Sequence, residues 1–344
     1  MTVRVEGYVH RTGEHCASTA LRNLLAFYGF DFSEPLIVGL GGGVGFYFLR
    51  GGGLSPTRIF HGRSATLEAD FCRHTGIAFQ EHMGPDDELA WTELRKRLDA
   101  GIPVPISVDT FYLPYHRTTS HFPGHRVVVV GYDDARRRFW LADRKFETDQ
   151  ACDFEALRRA RNAPDYPWTC LNGWVEFPEE VRCAIPLEAA IRSALRSTAD
   201  RMLSPPAGLE AGVPAMRALA AELPRWGELE DWSWAARFGY QVIVKRGSGG
   251  SFFRSLYADF LEEIATAVPA VGRADLPRAM AEIAARWRAF ARVLQMQSER
   301  RVCDPALFAR AGAAMSAIAD AEEAFFRRVR DRVATGAAGA SAEP

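Results

Sequence analysis

The feature that most constrains this chain is a change of composition near residue 186. All eight histidines lie between His10 and His125, together with most β-prone runs, whereas Ala, Arg and Glu dominate beyond that point. A His-containing, strand-rich segment and an Ala/Arg/Glu-rich segment bury different kinds of face, so the chain is expected to form two domains. The first, about residues 1–185, reads as α+β; the second, about 186–335, as mostly helical; the tail, 336–344, is small, polar and expected to fray. In the first part VVVVGYDD (127–134) and FWLADR (139–144) flank the polar turn DDARRR, and IPVPISVD (102–109) is a further buried-strand candidate. In the second, Met280, Ile283, Ala284, Trp287, Phe290, Ala291 and Leu294 recur at the spacing of one helical face, as do Phe308, Met315, Ile318, Phe325 and Val329. Those stripes read as core.

Charge and composition exclude several functions. With 42 Lys+Arg against 43 Asp+Glu, the formal charge is −1 and gives no bulk attraction for nucleic acid. The start, MTVRVEGYVHRTGEHC, lacks the charged-then-apolar run of a signal peptide. No stretch reaches the ~18 apolar residues of a membrane span, so a cytoplasmic protein is expected. Six scattered cysteines, Cys16, Cys72, Cys152, Cys170, Cys183 and Cys303, contain no C-x-x-C pair, which suggests free thiols. His116, His121 and His125 are closely spaced, but Pro123–Gly124 interrupts helical spacing and no H-E-x-x-H occurs, so no metal is expected.

The chemistry is expected at Cys16. It precedes ASTALRNLLAFYG, where Ala20, Leu21, Leu24, Leu25 and Phe27 or Tyr28 make an apolar stripe ending at Gly29, a plausible residue just past a helix C-terminus. A cysteine at a helix N-terminus gains thiolate character from the unpaired N–H groups and the helix dipole. His125 stands just before one strand and Asp143 at the end of the next strand of a hairpin, so adjacent antiparallel strands bring them together. An imidazole then deprotonates the thiol while a carboxylate sets the ring's tautomer and orientation.

This order of Cys, His and Asp resembles the papain-like superfamily, in particular its bacteriocin-processing peptidase branch. GEHCASTALRNLLAFYG, IVGLGGGVGFYFLR, GIPVPISVDTFYLPY, HFPGHRVVVVGYDD and FEALRRARN resemble the N-terminal domain of the butirosin biosynthesis protein H family. KRGSGGSFFRSLYADFLEEIA (245–265) resembles the helical domain that follows it there. The resemblance implies a papain-like fold and an acyltransferase, since the founding member moves an aminoacyl group from a carrier-protein thioester to an amine of an aminoglycoside. It thus implies Cys16, His125 and Asp143 as catalytic residues and an acyl donor carried on phosphopantetheine. An acyl carrier protein or CoA thioester and a small-molecule amine are the implied partners, with no other cofactor; the oligomeric state stays open. Hydrolysis by the same residues, as in a thioesterase or peptidase, and a catalytically idle binding protein are the rival readings. Papain-like enzymes place a Gln just upstream of the Cys as oxyanion donor; here His10, Arg11, Glu14 and His15 stand there instead, leaving His15 or His10 to donate beside the Cys16 N–H.

Asp109, Tyr112 and Tyr115 follow a strand and line the site or merely end the strand, and His121 is the alternative base. GLGGGVG (39–45) is followed by FYFLRGGG and no helix start, which argues against a dinucleotide fingerprint. Gly42 and Gly43 are instead read as allowing close backbone approach to an acyl chain or to the catalytic helix. KRGSGGSFFR (245–254) reads either as a phosphate cradle assisted by Lys245, Arg246 and Arg254 or as a linker and helix cap.

Overall fold

The computed structural model describes residues 1–163 and 169–333; the expected frayed tail, 336–344, and the last two positions of the expected helical domain lie outside the described residues. The strands are β1 (Thr2–Arg4), β2 (Tyr47–Arg50), β3 (Arg58–His61), β4 (Gln80–His82), β5 (Val104–Val108), β6 (His125–Asp133), β7 (Arg138–Ala142), β8 (Gln150–Asp153) and β9 (Trp174–Glu176). The helices are α1 (Cys16–Phe27), α2 (Glu34–Leu40), α3 (Leu67–Thr75), α4 (Asp87–Asp99), α5 (Phe154–Arg161), α6 (Leu187–Leu203), α7 (Gly212–Glu222), α8 (Trp232–Val244), α9 (Arg254–Ile264), α10 (Pro269–Arg273), α11 (Leu276–Ser298) and α12 (Pro305–Arg332). None of the described helices is long and apolar enough to cross a membrane.

One compact unit comprises residues 1–37 with the described part of 76–183. Its antiparallel sheet runs β4-β9-β5-β6-β7-β8, with β1 also pairing β6. All nine residues of β6 are buried, which explains its unbroken valine run: a strand covered on both faces has no solvent side to alternate toward. Val127 and Val129 pack with Leu94 and Leu98 of α4 and Leu157 of α5, while Val128 and Val130 pack with Ala20 of α1 and Ala142. The polar turn at 134–137 joins β6 to β7 as expected, with register Asp133↔Arg138. This unit is α+β.

The other unit joins residues 38–75 to the described residues from 184 onward. The chain therefore does not divide once near residue 185; it also crosses between units at 37–38 and 75–76. The reason is packing. The antiparallel β2–β3 pair is too short to bury its own apolar side chains, and Phe46 and Phe60 instead stack among Phe252, Trp287 and Phe290 of the helical part. Every residue of the two stripes in α11 and α12 named above is buried. Asp304 caps α12 by accepting from the Ala306 N–H, with Pro305 at its first position.

Candidate active site

Cys16 opens α1, with His15 as its N-cap. Gly29, at φ 91, follows the C-cap residue Tyr28 and ends the helix. The turn before α1 is held by one carboxylate the sequence argument overlooked. Glu34, at the start of α2, accepts from the backbone N–H of Glu14 (3.0 Å) and His15 (2.9 Å) and from the hydroxyls of Ser18 (2.8 Å) and Thr19 (3.2 Å). Because the Ser18 N–H can only donate, the His15 Nδ1 it meets at 3.3 Å is an acceptor, so a neutral His15 ring carries its proton on Nε2. That nitrogen lies 3.9 Å from Cys16 Sγ.

Cys16 also hydrogen-bonds His125, the first residue of β6. His125 Nε2 meets Asp143 Oδ1 at 2.9 Å, which leaves Nδ1 for the sulfur. Asp143 follows the last residue of β7, the strand that pairs with β6. The three residues are 7%, 3% and 1% exposed, so water does little to screen their charges. Burial alone would raise the Cys16 thiol, but the His15 and His125 imidazoles outweigh it and hold it well below the ordinary thiol range. Burial opposes charge on His125 too, yet the Asp143 carboxylate and the Cys16 sulfur raise it to about 10. For Asp143 burial pulls upward, while His125 and His116 hold the carboxyl far below the usual carboxylate range. These directions describe a thiolate–imidazolium pair with a carboxylate behind it, the state that attacks an acyl carbon without first losing a proton.

The sequence matches, over residues 15–144, the family described as "Butirosin biosynthesis protein H, N-terminal" and, over residues 155–329, the "Domain of unknown function (DUF4872)". The chain belongs to the butirosin biosynthesis protein H family. No curated protein matches it.

The remaining candidate residues of this family member fall into two groups. Those of the first unit mostly hold loops. His10 donates from Nε2 to the Phe146 carbonyl (2.9 Å) and its Nδ1 faces the Asn23 amide (3.2 Å), so both ring nitrogens are engaged and it is no oxyanion donor. Asp109 is fully buried and accepts from the N–H groups of Phe111 and Phe122, both at 2.9 Å, and from His121 Nδ1 at 2.7 Å. It is the peg of the 109–122 loop. His121 stacks on Phe111 with ring centroids 4.0 Å apart, away from the base position, which His125 fills. Tyr112 meets His121 edge-on and packs against the sheet's core.

Those of the second unit pack against their own unit. A Cβ on Gly42, at φ 57, would come 2.1 Å from an Arg201 nitrogen, and one on Gly43 would strike Val38. The close approach these glycines permit is thus to α2 and α6, and not to an acyl chain or the helix that carries Cys16. Arg254 is fully buried, bidentate to Glu322 (2.8 Å and 2.8 Å), and donates to the carbonyls of Gly62, Phe252 and Gly45. No guanidinium N–H is left to face an outside phosphate. Ser251 Oγ accepts from the Ser255 N–H at the start of α9, so this part of the Gly-rich segment is a helix cap. Arg246 donates to Gln241 Oε1 (2.9 Å) under the Phe238 ring, and Lys245 is exposed beside Tyr240.

The closely spaced histidines also sort differently from their order in sequence. His116, not His121, joins His125 at Asp143, its Nε2 2.7 Å from Oδ2, and Tyr115 donates to the same oxygen at 3.2 Å. One potential ligand atom from each of His116, His125 and Asp143 lies within 4.8 Å of the others, but both imidazole Nε2 atoms are engaged as hydrogen-bond donors to the carboxylate. A local signal for His116 is weak: it ends a one-turn helix, Pro114–His116, before the left-handed Arg117.

Proposed function

We propose that this protein is a cysteine-dependent acyltransferase of papain-like fold that moves an acyl group from a phosphopantetheine thioester, on a carrier protein or CoA, to an amine. One observation carries the reading: the Cys16 sulfur contacts both the His15 and the His125 imidazole, and His125 is tied by Nε2 to the buried Asp143. The family match supports its setting, since the namesake is a butirosin biosynthesis protein and thus belongs to specialised metabolism.

The thiolate of Cys16 attacks the thioester carbonyl, forming an S–C bond and an oxyanion. The Cys16 N–H at the open start of α1 and His15 Nε2–H are the donors for that oxygen. Collapse breaks the bond to the phosphopantetheine sulfur, which leaves with the proton of His125. The amine then attacks the acyl-enzyme, gives a proton to His125, and expels Cys16 as thiolate. Asp143 holds the ring throughout and stabilises its charge without taking the proton.

Intact-mass spectrometry of protein mixed with a carrier-bound acyl thioester tests the first half, and product analysis with and without added amines the second. The expected results are an acyl adduct that Cys16→Ala abolishes and an amide formed faster than free acid. Adduct on Cys16→Ala, or turnover on the order of the wild type, contradicts the mechanism. Free acid alone with every amine supplied contradicts the transfer step.

A further inference from the structure

Asp143 is a fully buried carboxylate shared by two histidines, and only one of them touches the thiol. Its Oδ1 accepts from His125 Nε2, and its Oδ2 from His116 Nε2 at 2.7 Å and Tyr115 Oη at 3.2 Å. A carboxylate has no proton to give, so the His116 nitrogen facing it carries one. The His116 ring is itself mostly covered, packed against Tyr115, Phe146 and, edge-on at 5.3 Å between centroids, against His125. Burial holds the His116 imidazole below its ordinary value, with the Asp143 bond opposing and the His125 and Lys145 charges adding to the depression. That balance favours the uncharged ring, and the bond to Asp143 places its proton on Nε2.

We infer that His116 is a positioning residue of the Cys16 site, acting through Asp143: its N–H fixes Oδ1 toward His125 and offsets the negative charge that the thiolate, imidazolium and carboxylate carry together. This rests on the reading of Cys16 as the nucleophile. Thiolate, imidazolium and carboxylate sum to one negative charge, and every donor directed at that cluster lowers its affinity for a further proton. Among the described residues, the charged or titratable groups that face it are His15 and His125 at the sulfur, and His116, Tyr115 and Lys145 on the Asp143 side, with the Cys152 thiol acting on Tyr115. Removing the His116 N–H frees the carboxylate to turn and raises the cluster's proton affinity. Both effects move the acid limb of Cys16 reactivity the same way, upward in pH.

The test is the pH dependence of iodoacetamide alkylation at Cys16, read by peptide mass, for wild type, His116→Leu and His116→Gln, with melting curves for each. The Gln amide N–H stands at about the position of Nε2 and can still donate to Oδ2. His116→Leu is expected to raise the acid limb by ~1 pH unit, a roughly tenfold slower labelling below it, and His116→Gln to return the limb close to wild type. Equal limbs in wild type and His116→Leu overturn the inference, as does an equal shift in both variants, which marks a purely steric role. A wild-type limb at the ordinary thiol position contradicts the nucleophile reading itself; a low wild-type limb with unmoved variants contradicts only the role of His116.

Discussion

Asp143 and Glu322 are both buried carboxylates, one in each compact unit, and they are satisfied by opposite kinds of partner. Glu322 takes both arms of Arg254 at 2.8 Å and the Trp287 indole N–H at 2.6 Å. Asp143 takes two imidazoles and a phenol. Each arrangement answers the same problem, since a carboxylate without partners is strongly disfavoured in a dry interior. The difference lies in the protons. A guanidinium holds its own at any pH a protein survives, so the Arg254 pair can only fix geometry. An imidazole titrates near neutrality and can pass a proton to the sulfur beside it. The first unit thus places its buried charge where it can be moved, and the second where it cannot.

Crossed substitutions sharpen this contrast. Asp143→Asn is expected to lower acyl-enzyme formation by ~10²–10⁴-fold with a modest change in melting temperature, because the amide still accepts one bond but no longer supports an imidazolium. Arg254→Ala should do the reverse. It leaves the Glu322 charge with the Trp287 N–H but without its cation, removes a donor from each of three carbonyls, and is expected to destabilise the second unit by about 3–5 kcal/mol, read by denaturant melts. In the folded fraction the acid limb of Cys16 alkylation should not move, since neither Arg254 nor Glu322 is among the charges that shift the thiol. A large loss of thiol reactivity in Arg254→Ala, or of stability alone in Asp143→Asn, breaks the comparison.

The smallest effects are expected at the other two basic residues of the Gly-rich segment, the exposed Lys245 and the partly buried Arg246. Lys245→Ala and Arg246→Ala should raise the Michaelis constant for a carrier-bound donor a few-fold, with the acyl-transfer rate at saturation unchanged. Unaltered donor kinetics in both variants would leave the whole segment as a cap for α9. The contrast with Arg254 is instructive, because all three basic residues read alike as sequence.

What was legible in the sequence follows from how local its cause is. The helix at Cys16 is announced by its own apolar stripe and by Gly29, and the approach of His125 to Asp143 by a hairpin whose turn, 134–137, lies within a run of six polar or small residues. Buried β6 shows itself as an unbroken valine run. Glu34, His116 and Arg254 do not announce themselves. Glu34 acts on residues 15 to 20 positions earlier, His116 reaches Asp143 from a one-turn helix, and Arg254 finds Glu322 68 residues away. A basic residue near glycines looks the same whether its anion is a ligand or a glutamate of its own core. The 38–75 segment was likewise hidden, because its glycines report a close approach and not the identity of the neighbour; a Cβ on Gly39 would overlap the Phe260 ring of α9.

The central claim is that Cys16 stands as a thiolate because of the imidazole and carboxylate behind it. The pH dependence of its alkylation in the wild-type protein tests that most directly, with the exposed Cys183 as internal reference, a thiol that burial moves upward instead. The expected result is a Cys16 rate that holds its plateau from neutral into mildly acidic pH while the Cys183 rate falls away from pH ~9 downward. Two thiols that lose reactivity together as the pH drops through the ordinary thiol range would contradict the account.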